Sequence, residues 1–253
     1  MTLPSELSRK YYVTPGLCNA RRELPLPRLV SDIIEIATDH ANRLGIGFRY
    51  MTPKGLGWVL SRLSVEMRRY PRFNEHYTLT TWVEDWNRHF SVRDFMVATE
   101  EGEVLGYART VWMVIDLNTH TNAGTGVLPF DTSLISGREC PMDPMARQPR
   151  LEPETVNSYT FRYTDIDFYS HVNTVRYVEL LLNQFPLDLY EKARIGRMDI
   201  SFRHEARYAQ TATVEIASPE PDTYAVCLHR DDDILIESQI RFSGCESADK
   251  PES

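Results

Sequence analysis

Between positions 165 and 173 the chain reads Asp-Ile-Asp-Phe-Tyr-Ser-His-Val-Asn. Asp165, Asp167 and His171 place two carboxylates and an imidazole in seven residues, groups suited to general acid–base or nucleophilic chemistry. Upstream, Tyr159, Phe161 and Tyr163 alternate with Thr160 and Arg162 like the end of a strand. Downstream, Val175, Val178, Leu181, Leu182 and Phe185 recur at helical spacing, with Asn173 at the capping position and Pro186 at the far end. The polar turn thus meets a helix N-terminus, whose unpaired N–H groups and positive partial charge suit a polarised carbonyl or an oxyanion. Asp and Asn ahead of a helix are also ordinary caps. Spacing alone does not show that the three groups converge.

Elements that could hold this turn follow from periodicity. A helix is predicted after Pro25 and Pro27, with Leu29, Ile33, Ile36, Ala37, His40, Ala41 and Leu44 on one stripe and Gly45 and Gly47 ending it. On that stripe His40 reads as a core or boundary residue. Strands are expected near 57–69, 76–86, 89–99 and 104–117, with alternation as in Tyr77, Leu79, Thr81 and Val83. Regularity lapses over 119–154, which carries Pro129, Pro141, Pro144, Pro149 and Pro153 and reads as a linker. Order then restarts with a strand near 156–163, the helix at 173–185, and strands near 195–205, 211–218, 225–229 and 234–242. The expected plan is a tail at 1–9, a first domain at 10–118, the linker at 119–154, a second domain at 155–244 and a tail at 245–253.

With a short strand expected at Tyr11-Tyr-Val-Thr14 ahead of the first helix, both halves read strand–helix–four strands, which suggests duplication. Arg68-Arg-Tyr-Pro-Arg-Phe-Asn-Glu75 aligns without gaps to Arg203-His-Glu-Ala-Arg-Tyr-Ala-Gln210, a register that sets Tyr70 against Glu205. The segment Leu24-Pro-Leu-Pro27 ahead of the first helix offers neither acid nor histidine, so the chemistry is expected in the second half.

Composition narrows the classes. Across 253 residues, 42% hydrophobic and 25% charged content is that of a soluble globular protein. No apolar run approaches the ~18 residues of a membrane span, and the first ten residues lack a signal peptide's apolar core, so a cytoplasmic location is expected. Cys18, Cys140, Cys227 and Cys245 form no C-x-x-C pair, so they read as free thiols, with neither a metal site nor a disulfide framework indicated. A net charge of −8 and the lack of a basic stripe argue against nucleic acid as a partner. Arg68, Arg69 and Arg72 are the densest cationic cluster.

A helix wrapped by a long antiparallel sheet, with Asp-x-Asp-x-x-x-His-Val-Asn at its entrance, resembles the hot dog thioesterases. Two such units in one chain resemble the acyl-ACP thioesterases of plants and bacteria. The strings Trp58-Val-Leu-Ser-Arg-Leu-Ser-Val65, Arg69-Tyr-Pro71, Thr81-Trp-Val83, Arg109-Thr-Val-Trp-Met113 and Phe202-Arg-His-Glu205 are similar to that family's signatures. The resemblance implies an α+β fold of two tandem hot dog domains. It places the family's active-site Asp, His and Glu on Asp167, His171 and Glu205. Two positions depart: Tyr169 stands where plant members have Asn, and Ala206 where they have Cys. Alanine cannot be a nucleophile, which leaves a carboxylate and water mechanism.

By the same resemblance, the thioester carbonyl would lie at the helix N-terminus. Asp167 would act as base or nucleophile, His171 would orient substrate or shuttle a proton, and Glu205, from the neighbouring strand, would hold His171. Tyr169 could supply a hydrogen bond, and Asn173 could cap the helix or touch the site. No cofactor or metal is implied. The acyl chain would enter a tunnel associated with the N-terminal half. The partner would be acyl carrier protein, for which Arg68, Arg69 and Arg72 are candidate landing residues on a monomer or homodimer. Alternatives are an acyl-CoA thioesterase, a non-catalytic acyl-binding module and a dehydratase on the same fold.

Overall fold

The computed structural model describes residues 5–145 and 152–244. In chain order the first half contains β1 (Glu6–Tyr12), α1 (Leu26–Arg43), the one-turn α2 (Phe48–Met51), β2 (Leu56–Met67), β3 (His76–Trp86), β4 (Ser91–Thr99), β5 (Val104–Asp116) and the short β6 (Thr121–Asn122). The second contains β7 (Thr155–Thr160), α3 (Thr174–Leu182), α4 (Leu187–Lys192), β8 (Ala193–Phe202), β9 (Thr211–Glu220), β10 (Thr223–Arg230) and β11 (Asp233–Gly244). Apart from β6, which pairs with β5, the strands join in the order β1-β3-β4-β5-β2-β8-β11-β10-β9-β7. Each half is an antiparallel sheet around its own helix, and β2 and β8 join the two edge to edge.

Burial follows the two periodicities. Leu29, Ile33, Ile36, Ala37, His40 and Ala41 are the buried face of α1, and Tyr177, Val178 and Leu181 that of α3. Leu29, Ile33, Ile36 and Ala37 of α1 and the α3 face, with Leu63, Val65, Met198 and Ile200 from the junction strands, belong to one continuous core, while Ala41 packs in a second cluster. Past α1, Gly45 takes φ +75, and the Ile46 N–H bonds the Ala41 carbonyl at 3.0 Å, a stop that favours glycine.

The junction carries a pseudo-two-fold. Ser64 pairs with Asp199 across it. The offset that makes these two equivalent also makes Tyr70 equivalent to Glu205, the register of the sequence alignment.

Several boundaries differ from expectation. The 1–9 tail is wrong from Glu6 onward: β1 pairs with β3 throughout, Leu7 is buried, Arg9 reaches Asp39 at 2.7 Å, and Tyr11 stacks on Tyr77. An edge strand needs one buried row only, so its signal in sequence is thin. Residues 128–142 of the linker are packed as a strap. Leu128, Phe130, Leu134 and Ile135 join an apolar cluster, while Cys140 and Met142 cover Trp82, whose indole N–H donates to the Arg138 carbonyl at 2.9 Å. The second helix ends at Leu182, and Pro186 starts α4, which the sequence reading missed. Cys18, Cys140 and Cys227 form no disulfide with one another; Cys245 and the 245–253 tail lie outside the described residues.

Candidate active site

The Asp-x-Asp turn divides its two acids between separate tasks. Asp165 is buried and accepts from the Tyr159 hydroxyl at 3.0 Å and the Arg162 N–H at 2.7 Å, while its carbonyl accepts from the Asn173 N–H at 2.8 Å. It holds the loop to the start of α3. Asp167 Oδ1 accepts from the Tyr169 N–H at 2.8 Å and the His171 N–H at 3.2 Å. The Asp167 N–H donates to the His171 carbonyl at 2.8 Å, closing the turn with Ser170 at φ +65. Among the described residues, nothing donates to Asp167 Oδ2. One oxygen is therefore structural and the other is open for a water or a substrate.

His171 Nε2 lies 3.1 Å from Glu205 Oε2, with the imidazole 16% and the carboxylate 46% exposed. With Nε2–H donating to Glu205, the Nδ1 lone pair is the basic position. Glu205 lies in the loop beyond β8 rather than on that strand. The loop is fixed by the Ala206 N–H donating to the Tyr177 hydroxyl at 3.1 Å, and by the Val172 N–H donating to the Ala206 carbonyl at 2.8 Å. Buried Ala206 thus ties the Glu205 loop to both the His171 loop and α3 through its backbone.

The side chain of Asn173 caps α3, its Oδ1 accepting from the Val175 N–H at 2.8 Å. This leaves Thr174 N–H as the open donor at the helix entrance, fewer than a bare N-terminus would present. The Tyr169 ring packs 4.0 Å from that of Phe168, and its hydroxyl has no hydrogen-bond partner among the described residues. Burial, then the nearby Asp167 charge, push the phenol above its ordinary range.

Phe168 and Tyr169 form the mouth of an apolar cavity of about 250 Å³ in the first half. It is lined by Ile34, Ala37 and Ala41 of α1, by Phe48 of α2, and by Trp58, Trp86 and Trp112 of the sheet. One charged side chain, Arg93, also lines it. Of the stripe expected on α1, Ala37 and Ala41 face this cavity. The sequence singled out neither Phe48 and Arg93 nor the tryptophans, since aromatic residues in strands read as core until a cavity is seen beside them.

The first half repeats the loop. The Asn19 N–H donates to the Glu23 carbonyl at 2.9 Å, Asn19 Oδ1 accepts from the Arg21 and Glu23 N–H groups, Arg22 takes φ +59, and the Leu24 N–H donates to the Pro71 carbonyl. Bond for bond this is the Asp167–Val172 loop, with Asn19, Glu23 and Tyr70 at the Asp167, His171 and Glu205 positions. The expectation that this entrance offers no acid is corrected: the loop begins at Asn19, ahead of the Leu24-Pro-Leu-Pro27 segment, and contains Glu23. A second cavity of about 430 Å³ lies against it, walled by Leu182 of α3 and Tyr190 of α4.

The cationic cluster does not sit at the catalytic mouth. Arg69 is held by Glu75 at 2.9 Å and by Glu103 at 2.9 Å. Arg68 follows the end of β2 and lies about 20 Å along that strand line from Arg62, which pairs with Ser201 just ahead of the Glu205 loop. Among the described residues no group of three His, Cys, Asp or Glu side chains is arranged to hold a metal, and no helix is long and apolar enough to cross a membrane.

Two helices each wrapped by half of one continuous antiparallel sheet, with an Asp–His–Glu loop on one helix entrance, define a double hot dog protein. Residues 4–123 match the acyl-ACP thioesterase N-terminal domain and 148–242 the C-terminal domain. The chain belongs to the acyl-ACP thioesterase family. It is 27% identical over 218 residues to a chloroplastic palmitoyl-acyl carrier protein thioesterase of Gossypium hirsutum, an alignment covering 78% of this chain and 51% of that protein. It is 24% identical over 199 residues to a chloroplastic acyl-[acyl-carrier-protein] hydrolase of Cuphea viscosissima, covering 74% and 48%. The chain thus spans about half the length of these curated relatives. An acyl-ACP thioesterase structure from Bacteroides thetaiotaomicron superposes with TM-score 0.87 at 28% identity, over 94% of this chain and 98% of that one. A 12:0-ACP thioesterase from Umbellularia californica shares the fold at TM-score 0.83 and 16% identity, over 95% and 98%.

Proposed function

We propose that this protein hydrolyses fatty acyl thioesters of acyl carrier protein to free fatty acid and holo-carrier, ending chain elongation. Membership of the family supports the substrate class. The observation that carries the reading is the open Oδ2 of Asp167 beside the His171–Glu205 pair, at the mouth of an apolar cavity. The acyl chain occupies the cavity, and the thioester carbonyl lies at the Thr174 N–H, which faces the developing oxyanion. Asp167 takes a proton from water as its oxygen attacks the acyl carbon. The carbon–sulfur bond breaks, and the proton is delivered to the pantetheine thiolate, with His171 positioned by Glu205 for the relay. Ala206 offers no thiol, so no cysteine step enters. The cytoplasmic location expected from the sequence remains part of this proposal, and fractionation of the native host tests it.

The test is single-turnover hydrolysis of matched acyl-ACP and acyl-CoA thioesters by wild type, Asp167→Asn, His171→Ala and Glu205→Ala. Cleavage of acyl-ACP, slowed on the order of 10² or more by Asp167→Asn, supports the reading. Preference for acyl-CoA replaces the carrier. Failure to cleave either thioester leaves a non-catalytic acyl-binding module.

A further inference from the structure

The two halves share a cavity as well as a loop. β2 and β8 each break register with the outer neighbour at one residue, Ser61 against β5 and Gly196 against β11. These two residues are related by the offset that relates Ser64 to Asp199, and the same offset sets Trp58 against Ala193. The loop offset, Asn19 to Asp167, sets the first residue of α1, Leu26, against the first of α3, Thr174. It also sets Ile34 against Leu182 and Arg21 against Tyr169. Ile34, Trp58 and Tyr169 all line the cavity of about 250 Å³, and Leu182, Ala193 and Arg21 all line that of about 430 Å³. The second cavity is therefore the pseudo-symmetric mate of the first, with an alanine where the first has a tryptophan. Its volume is that of a site for a small organic ligand.

The mouth of this mate has the opposite polarity. Asn19 Oδ1 accepts from the Arg21 and Glu23 N–H groups at 2.9 and 3.1 Å, which leaves the amide Nδ2, a donor, where Asp167 leaves an open carboxylate oxygen. Among the described residues nothing accepts from that nitrogen. Arg21 brings a guanidinium to the Tyr169 position. Its Nε donates to Glu23 at 3.2 Å, which neutralises that acid, and Nη1 reaches the Tyr190 carbonyl at 3.4 Å. Arg194 puts a second guanidinium on the wall. Of the other acids there, Glu179 pairs with Arg176 at 2.5 Å and Glu191 is exposed.

We propose that this cavity is a second, non-hydrolytic site for a long-chain fatty acid, with the alkyl chain against Leu182 and Tyr190 and the carboxylate at Arg21 and Asn19 Nδ2. Donors at the head and apolar side chains behind them match a single-chain carboxylate. No open carboxylate stands there to activate water, because Asn19 and Tyr70 hold the Asp167 and Glu205 positions and Arg21 engages Glu23. The ligand is the acid that the hydrolase reading releases, and only its origin rests on that reading.

The experiment is photoaffinity labelling of the full chain with dodecanoic acid carrying a diazirine near its methyl end, with labelled peptides mapped by mass spectrometry and acyl-ACP hydrolysis assayed on the same sample. Two labelled regions are expected, one on α1 and one between Leu182 and Tyr190. Dodecanoic acid should displace the second label at least tenfold better than methyl dodecanoate does. Arg21→Gln should weaken that label at least tenfold. Ala193→Trp, which installs the indole of the equivalent strand position, should remove it and spare the label on α1. Labelling confined to α1, equal displacement by acid and ester, or a second label that survives Ala193→Trp would overturn the inference. The wild-type map and the competition decide the matter if Ala193→Trp does not fold. Hydrolysis without the second label sinks this inference alone, whereas the second label without hydrolysis sinks the hydrolase reading and leaves the site intact.

Discussion

Asp167 has two oxygens with different tasks, so its substitutions should separate scaffold from chemistry. Oδ1 receives two backbone N–H groups, from Tyr169 and His171. Asparagine keeps that acceptor, as Asn19 does in the matching loop of the first half. Alanine removes it and leaves two donors to water. At about 1 kcal/mol for each bond, Asp167→Ala loses about 2 kcal/mol, or about 4–8 °C in Tm for a chain of this size. Asp167→Asn should melt within about 1–2 °C of wild type. Both should lose catalysis on the order of 10² or more if Oδ2 is the base. The assay pairs thermal melting with single-turnover hydrolysis of an acyl-ACP. Asparagine melting as low as alanine would refute the scaffold assignment of Oδ1, and asparagine turning over like wild type would refute the chemical assignment of Oδ2.

Four further outcomes follow from the same geometry. Tyr169→Phe should keep kcat within about threefold of wild type, because its hydroxyl bonds no described residue; a loss of a hundredfold would restore the hydroxyl to the reaction. Tyr177→Phe strands the Ala206 N–H and should cost about 1–3 kcal/mol in denaturant unfolding, so an unchanged midpoint would show that the bond contributes nothing. Single turnover in ¹⁸O water should place the label in the released fatty acid; label appearing first in the enzyme would mean that Asp167 attacks directly. Burial holds the Asp94 carboxyl above the usual carboxylate range even beside Arg109 at 2.9 Å, so the native state keeps its proton to higher pH than the unfolded chain does. Its contribution to stability is therefore present at low pH and declines as pH rises from about 4 through neutrality. The Tm of wild type should fall relative to that of Asp94→Asn across that window, and a difference independent of pH would remove the argument.

The parts of the fold written in periodicity were legible. Stripes on α1 and α3 and alternation in the strands give two helix-centred halves, and one short ungapped match gives their register. The candidate site was legible in its placement, where residue type carries chemistry: Asp167, His171 and Glu205 fall around one loop entrance, with the His171–Glu205 contact formed. What sequence hid depends on three-dimensional closure. Nothing in Asp-Ile-Asp tells which acid faces Tyr159 and Arg162 and which faces outward. The Arg68–Arg72 cluster looked like a landing patch because Glu103, which neutralises Arg69, is distant in sequence. Trp58 and Trp112 read as core, since a wall and a core share one composition. The Asn19 turn escaped notice because its likeness to the Asp167 turn lies in backbone hydrogen bonds, where Asn and Asp are interchangeable and the side chains that follow need not match.

That second turn bears on how such a protein can change. The chain holds two copies of one backbone frame, each facing a cavity walled by the other half's helix, but inscribed with different side chains. The frame is thus inherited independently of the reaction. Activity can be erased at one end without unfolding the loop, and at the other Asn19→Asp, Glu23→His and Tyr70→Glu would write the acid–imidazole–acid set onto a turn that already has the right shape. The repeated frame gives this molecule a spare socket, in which new chemistry can be tried while the Asp167 loop stays undisturbed.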